Sequence, residues 1–193
     1  MAVLSLKKGA NISLSKEAPG LEAIKVGCGW DAQALGGAEF DLDASIFLCG
    51  ADGKVTGDQD FIFYGNLQGA NGAVVHTGDN LTGEGEGDDE VIMMSLKDMP
   101  PELVKAVFVV TIHEADKRGQ NFGMVENAFI RIVNAVDDVE ITRYDLTEDF
   151  FKETAVIFGE VYLKNGEWKF KAVGQGSEEG LGQVCAKYGV SAA

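Results

Sequence analysis

Two stretches of the chain gather carboxylates at spacings that suit a hard cation. The denser one runs Gly78-Asp79-Asn80-Leu81-Thr82-Gly83-Glu84-Gly85-Glu86-Gly87-Asp88-Asp89-Glu90, with six carboxylates, two further side-chain oxygen ligands in Asn80 and Thr82, and no basic residue. Alternating glycines let such a segment fold tightly and turn its carbonyls inward, and an all-oxygen donor set favours calcium or magnesium over transition metals. Without a counter-charge, neighbouring carboxylates about 4 Å apart repel by roughly 1 kcal/mol even in a water-like dielectric. Asp79 to Glu90 has the length of an EF-hand loop, but Leu81 and Gly83 stand where that loop needs oxygen ligands and Glu84 where it needs glycine. The segment is therefore a different kind of metal loop.

The second stretch is Phe40-Asp41-Leu42-Asp43-Ala44-Ser45-Ile46-Phe47, preceded by Trp30-Asp31 and followed by Asp58-Gln59-Asp60. In an extended strand, residues i and i+2 share a face, so Asp41 and Asp43 should project together while Phe40 and Leu42 enter a core. The same reasoning places Asp58 and Asp60 on one face. Asp41, Asp43, Asp88 and Asp89 are the carboxylates that a metal explains better than a solvated turn does. Asp52-Gly53 reads as a hairpin turn.

Other chemistry is thinly represented. His76 and His113 are the only histidines, and neither has a second His or Cys at ligand spacing, so no zinc site is spelled out. His113 falls in an apolar run and reads as a half-core histidine. A nucleophile elbow, a P-loop and a dinucleotide-binding context are all missing, and no nucleophile, base and orienting group can be assembled. Cys28, Cys49 and Cys185 are far apart and odd in number, which argues against a disulfide framework and for buried thiols acting as small hydrophobes.

The charge distribution supports the metal reading. The net charge is -15, which opposes the counterion release that drives nucleic-acid binding. Between Asp31 and Glu90 there are thirteen acidic residues and one basic residue, Lys54, so this third of the chain carries -12 of that total. An imbalance so localised calls for a local cause. The N-terminus lacks the pattern of a secretory signal and the apolar runs are too short to span a bilayer, so a cytoplasmic location and no transmembrane segment are expected.

The elements that must position these groups are mostly strands. Short β-type runs recur at 24–29, 42–49, 61–64, 73–76, 91–96, 104–113, 127–133, 139–144, 155–163 and 168–173, separated by Gly, Asn and Asp. About ten strands predict a mainly β, two-sheet β-sandwich forming a single domain over residues 1–193, with the acidic metal-binding loops gathered at one end. A C-terminal helix is expected after Ser177 as cap, with Glu178 and Glu179 in its first turn, Leu181, Val184, Cys185 and Tyr188 as its apolar stripe, and Gly189 as its stop. A short helical turn is expected at 116–120.

The sequence resembles the TerD family of tellurite-resistance and stress-response proteins. The resemblance is carried, in order along nearly the whole chain, by Gly29-Trp30-Asp31, Phe40-Asp41-Leu42-Asp43-Ala44-Ser45, Asp60-Phe61-Ile62-Phe63-Tyr64, His76 to Gly83 with Gly87-Asp88-Asp89-Glu90, Phe129-Ile130-Arg131, Arg143-Tyr144-Asp145-Leu146 and Glu167-Trp168-Lys169-Phe170. It implies a calcium-binding β-sandwich holding two ions. The implied ligands are Asp31, Asp41, Asp43 and Asp60 beside Asp79, Asn80, Thr82, Glu84, Asp88, Asp89 and Glu90, undivided between sites. Members similar to this chain commonly have two asparagines after the Phe-Tyr, whereas Gly65 and Asn66 follow Tyr64 here; Asn66 stays a candidate ligand. The implied function is non-enzymatic: a calcium-ordered interaction module in resistance to tellurite, phage or colicins. Its partners would be other stress-response or tellurite-resistance proteins, membrane-associated ones among them, or further copies of itself. Two rival readings are a purely structural metal staple and thiol-based handling of tellurite.

Overall fold

A computed structural model of the chain describes residues 3–32, 40–78, 87–147 and 150–191. Thirteen strands among these residues form two sheets. The strands are β1 (Leu4–Leu6), β2 (Asn11–Ser13), β3 (Ala23–Ala32), β4 (Leu42–Cys49), β5 (Phe61–Ile62), β6 (Gln68–Gly69), β7 (Val74–His76), β8 (Glu90–Ser95), β9 (Lys105–Ile112), β10 (Val125–Asn134), β11 (Glu140–Asp145), β12 (Ala155–Lys164) and β13 (Glu167–Ser177). Sheet A has seven strands in the order β1-β11-β10-β3-β8-β7-β6, and sheet B has six in the order β2-β13-β12-β9-β4-β5. The ten expected strands are all present. The three additional ones, β1, β2 and β6, are two or three residues long, too short to show a period-2 pattern.

Both sides of the sandwich are closed in the same way. The edge strands β1 and β2 belong to different sheets and are joined by the turn through Lys7–Ala10, and β5 and β6 are joined across the Phe63–Asn66 bridge. Strand parity builds the core between the sheets: Ile24, Val26, Cys28 and Trp30 of β3 face Leu42, Ala44, Ile46 and Leu48 of β4. The opposite face of sheet B carries a second apolar cluster of Phe47, Cys49, Phe61, Val107, Val109, Ala155 and Ile157.

The helix α3 (Gly180–Tyr188) covers that second cluster, burying Val184 and Cys185, with Leu181 and Tyr188 packed beside them. Burying the Val184 side chain alone is worth roughly 1.5–3 kcal/mol. Gly189 ends the helix in the left-handed region, φ 80°, as expected. The start of the helix differs from the expectation. Glu179 is the N-cap residue, and no acidic residue lies in the first turn. Ser177 still belongs to β13, where its Oγ lies 2.6 Å from Gln183 Oε1, because the β12–β13 ladder runs to the Ala155–Ser177 pair and holds Ser177 extended. Two one-turn helices, α1 (Leu14–Glu17) and α2 (Ala115–Arg118), and three 3₁₀ turns complete the elements among the described residues, α2 beginning one residue before the expected turn. Two shallow grooves on the outer face of sheet A are lined by Lys25, Met93 and Arg131 and by Asp31, Arg131 and Arg143, with Phe129 buried beneath the second.

Candidate metal centre

Glu90, the first residue of β8, joins the two acidic segments. Its parity places it inward with Ile92 and Met94, and its side chain is only 1% exposed. One carboxylate oxygen, Oε2, accepts the Ala44 backbone N–H of β4 at 2.7 Å and lies 3.3 Å from His76 Nε2 on β7. The Gly78 N–H is donated to His76 Nδ1 at 3.2 Å, so the imidazole proton is on Nε2 and points to Glu90. A residue of sheet A thus fastens the start of β4 in sheet B, and Ala44, beyond the two-residue β5 ladder, has its edge N–H satisfied. The following segment, 79–86, is bracketed by Gly78 (φ 132°) and Gly87 (φ 120°), backbone conformations that exclude most side chains.

Three other predicted carboxylates lie on the outer face of sheet A, Asp31 and Asp89 on one groove and Asp88 on the next. Asp31, near the end of β3, accepts a hydrogen bond from Asn127 Nδ2 at 2.6 Å. Asp89 accepts the Trp30 N–H at 2.8 Å. Burial pushes the Asp89 carboxyl above its ordinary range; the Trp30 N–H opposes this, and the nearby Asp31 and Asp88 charges add to it. Asp88 is held by the Arg131 fork, with Nε to Oδ1 at 2.7 Å and Nη2 to Oδ2 at 3.1 Å. Arg131 stands across the ladder from Gly27, and the Asp88 carboxyl occupies the space a Gly27 side chain would need. Arg131 also donates to Glu140 at 2.9 Å. The pair with Asp88, then that with Glu140, holds the guanidinium more firmly protonated than usual.

On β4, Leu42 is buried and Asp43 half-buried, the alternation expected, and Phe40 enters the core beside Asp41. Asp43 Oδ2 lies 3.6 Å from His113 Nδ1, and Asp41 Oδ2 is 4.0 Å from Arg118. His113 is the residue after β9 and is half-buried, as expected. Asp58 and Asp60 depart from the expected co-facing pair. Residues Asp58–Asp60 form a 3₁₀ turn in which Asp58 is exposed and Asp60 buried, since i and i+2 do not share a face in a turn of three residues.

Asp60 accepts hydrogen bonds from Thr56 Oγ1 at 2.5 Å, Gln59 Nε2 at 3.3 Å and the Ala70 N–H at 3.2 Å. It precedes Phe61, which pairs with Phe47, so it stands near the level of Leu48, about 16 Å along β4 from Asp43 at ~3.3 Å per residue. The Asn66 side chain donates to the Phe61 carbonyl at 2.7 Å and closes the turn between β5 and β6. Asp79, Asn80, Thr82 and Glu84 lie outside the described residues.

Among the described residues, no three His, Cys, Asp or Glu side chains form a group able to hold a metal ion. The buried polar atoms Trp30 Nε1 and Asp41 Oδ1 have no hydrogen-bond partner among the described residues. A buried carboxylate oxygen without a donor suits a cation. The thiols are poorly suited to redox chemistry: all three are buried. Burial, then Glu90, Asp88 and Asp89, pushes Cys28 well up; burial pushes Cys49 to about 11 and raises Cys185. Reactive cysteines have depressed values and exposure.

The class of protein is a two-sheet β-sandwich with a C-terminal helix over one sheet and acidic residues at the end of β3 and at the starts of β4 and β8. The chain belongs to the TerD family: the model described as the TerD domain matches residues 1–188. It is 58% identical over 189 residues to the tellurium resistance protein TerD of Serratia marcescens, covering 98% of each chain. It is 53% identical over 188 residues to general stress protein 16U of Bacillus subtilis (strain 168), covering 97% of each. Among solved structures, the fold matches a homologue of telluride resistance protein (TerD) from Streptomyces coelicolor A3(2), with TM-score 0.68, 19% identity, and 90% of this chain and 100% of that one covered.

Proposed function

We propose that this chain is a calcium-binding, non-enzymatic stress-response protein whose acidic segments close around two ions and become a fixed surface for a partner protein. The observation that carries the reading is that Asp31 and Asp89 line one groove on sheet A. The partnerless Asp41 Oδ1 supports it, as do the names of its relatives, a tellurium resistance protein and a general stress protein. Asp31, Asp41, Asp43 and Asp89 would hold the ions together with Asp79, Asn80, Thr82 and Glu84. Asp60 and Asn66 serve their internal hydrogen bonds, Glu90 fastens the two segments, and Asp88 fixes one loop end on Arg131.

The ion supplies charge neutralisation. Without it the carboxylates repel and the segments stay open; with it they take one shape that a partner can recognise. The partners fitting this reading are other stress-response proteins in the cytoplasm, including membrane-associated ones, or a second copy of the chain. No helix among the described residues is long and apolar enough to cross a membrane.

Calcium titration by calorimetry tests the proposal. The wild-type protein should bind with measurable heat, and Asp31→Asn combined with Asp89→Asn, folded by circular dichroism, should lose most of it. Equal binding by both proteins overturns the site. The Glu90–Ala44 link favours a second reading in which the ion only staples the fold. Pull-downs with and without chelator separate the two, because a staple leaves partner capture unchanged in a protein that remains folded.

A further inference from the structure

The calcium reading leaves Phe129, Arg143 and Asp145 without a role, although they carry part of the family resemblance. The fold brings them together on the outer face of sheet A. Phe129 pairs with Asp145 across the β10–β11 ladder and with Gly29 across the β10–β3 ladder. Its ring occupies the space above Gly29, where any side chain would strike it: a Cβ there would lie 2.4 Å from the ring. Arg143 lies over that ring with its guanidinium carbon 3.6 Å from the centroid, and its Nε donates to Asp145 at 2.5 Å. One nitrogen and one flat face of the guanidinium are thereby fixed, and the two Nη groups have no hydrogen-bond or ion-pair partner among the described residues.

Arg143 lines a groove of about 400 Å³ with Phe129, Asn127, Asp31, Asp89 and Arg131. The charge of Arg131 is balanced by Asp88 and Glu140, whereas Arg143 has a single acceptor, Asp145, among the described residues and turns its Nη fork to the groove. The β10 backbone also departs from regular geometry here. Its register with β3 shifts between Glu126 and Phe129, and Asn127 sits in the left-handed region at φ 53° while holding Asp31. Bulges and non-glycine residues at positive φ gather where side chains are re-aimed for binding.

We propose that this groove binds an oxyanion, a phosphate or a carboxylate, on the Nη fork of Arg143, next to the cation-binding carboxylates. A guanidinium held flat on an aromatic ring and fixed at Nε is preorganised for bidentate recognition of such groups. Asp31 and Asp89 repel an anion while they are uncompensated. Calcium on them removes that repulsion, so the oxyanion binds more tightly to the calcium-loaded protein. The dependence on calcium rests on the function proposed above; the fork and the groove do not.

The test follows the Arg143 Nε–H and Asn127 side-chain amide signals by NMR during titration with inorganic phosphate, and separately with acetate, each with chelator and with calcium at sub-millimolar concentration. The expected result is saturable shifts of both signals, larger at a given ligand concentration when calcium is present. Arg143→Gln should weaken the saturation followed at Asn127 by about tenfold or more, and Arg143→Lys should restore it only in part. The more tightly bound probe identifies the oxyanion. Saturation with or without calcium that depends on Arg143 supports the groove. Calcium heat without any Arg143-dependent oxyanion shift overturns this inference and leaves the calcium reading standing, and unchanged affinity in Arg143→Gln overturns it as well.

Discussion

Replacing Glu90 should separate its role as a fastener from a role as an ion ligand, provided calcium is excluded with chelator. In Glu90→Ala the Ala44 N–H and the His76 Nε2–H, both directed at the same carboxylate oxygen, lose their acceptor in a site that is 1% exposed. An orphaned buried donor costs about 1–3 kcal/mol, and two are left here. We therefore expect Glu90→Ala to lose about 2–6 kcal/mol, a large part of the roughly 5–15 kcal/mol that stabilises a domain. At ~2–4 °C per kcal/mol for a chain of this size, the melting temperature should fall by roughly 4–24 °C. Glu90→Gln can place its amide oxygen where Oε2 sits and accept both hydrogens, so it should lose less than about 1.5 kcal/mol. Urea unfolding monitored by tryptophan fluorescence measures both variants. A Glu90→Ala protein within about 0.5 kcal/mol of wild type, the range of ordinary surface changes, would refute the fastening argument. So would equal losses in the two variants.

The Asp89 carboxyl has a raised value in the fold, so its contribution favours folding fully below the ordinary carboxylate range and is lost as pH rises through the folded value. At neutral pH without calcium, Asp89→Asn should therefore raise the melting temperature, and saturating calcium should reverse the ranking; differential scanning fluorimetry reads both. Gly29→Ala would drive a Cβ to 2.4 Å from the Phe129 ring and 3.0 Å from the Gly87 carbonyl; it should cost about 1–3 kcal/mol in urea unfolding. With all three thiols buried and raised, Ellman's reagent should react slowly with the native protein and promptly with three thiols after denaturation. Gly189→Ala places a side chain at φ 80°; it should cost about 1 kcal/mol and loosen α3, seen as faster amide exchange in its last turn.

How much of this was legible in the sequence depends on the range of each interaction. Leu42–Cys49 was readable to the residue because the alternation Phe40-Asp41-Leu42-Asp43 leads into an apolar run, Ile46 to Cys49, that a glycine ends. The stripe of α3 was readable because Leu181, Val184, Cys185 and Tyr188 repeat at helical spacing. Its start was not, because Ser177 fits an N-cap locally while β12 holds it in a ladder from outside. The Asp58–Asp60 pair failed because parity was applied to a turn. Arg131 and Asp88 are 43 residues apart and meet only when β10 and β8 flank β3. Glu90 could have been found: the parity that made Ile92 and Met94 core residues also makes Glu90 one, and a buried glutamate requires donors.

The short strands at the sides of the sandwich have a consequence for how copies of this protein can meet. An exposed strand edge is a template on which a foreign strand can add, the usual first step in aggregation of β proteins. Here every outermost strand, β1, β2, β5 and β6, is only two or three residues long. On each side the chain then crosses to the other sheet, so an incoming strand would find too few consecutive backbone groups to hold it. Assembly, where it occurs, is thereby directed away from the hems of the fabric and toward its faces.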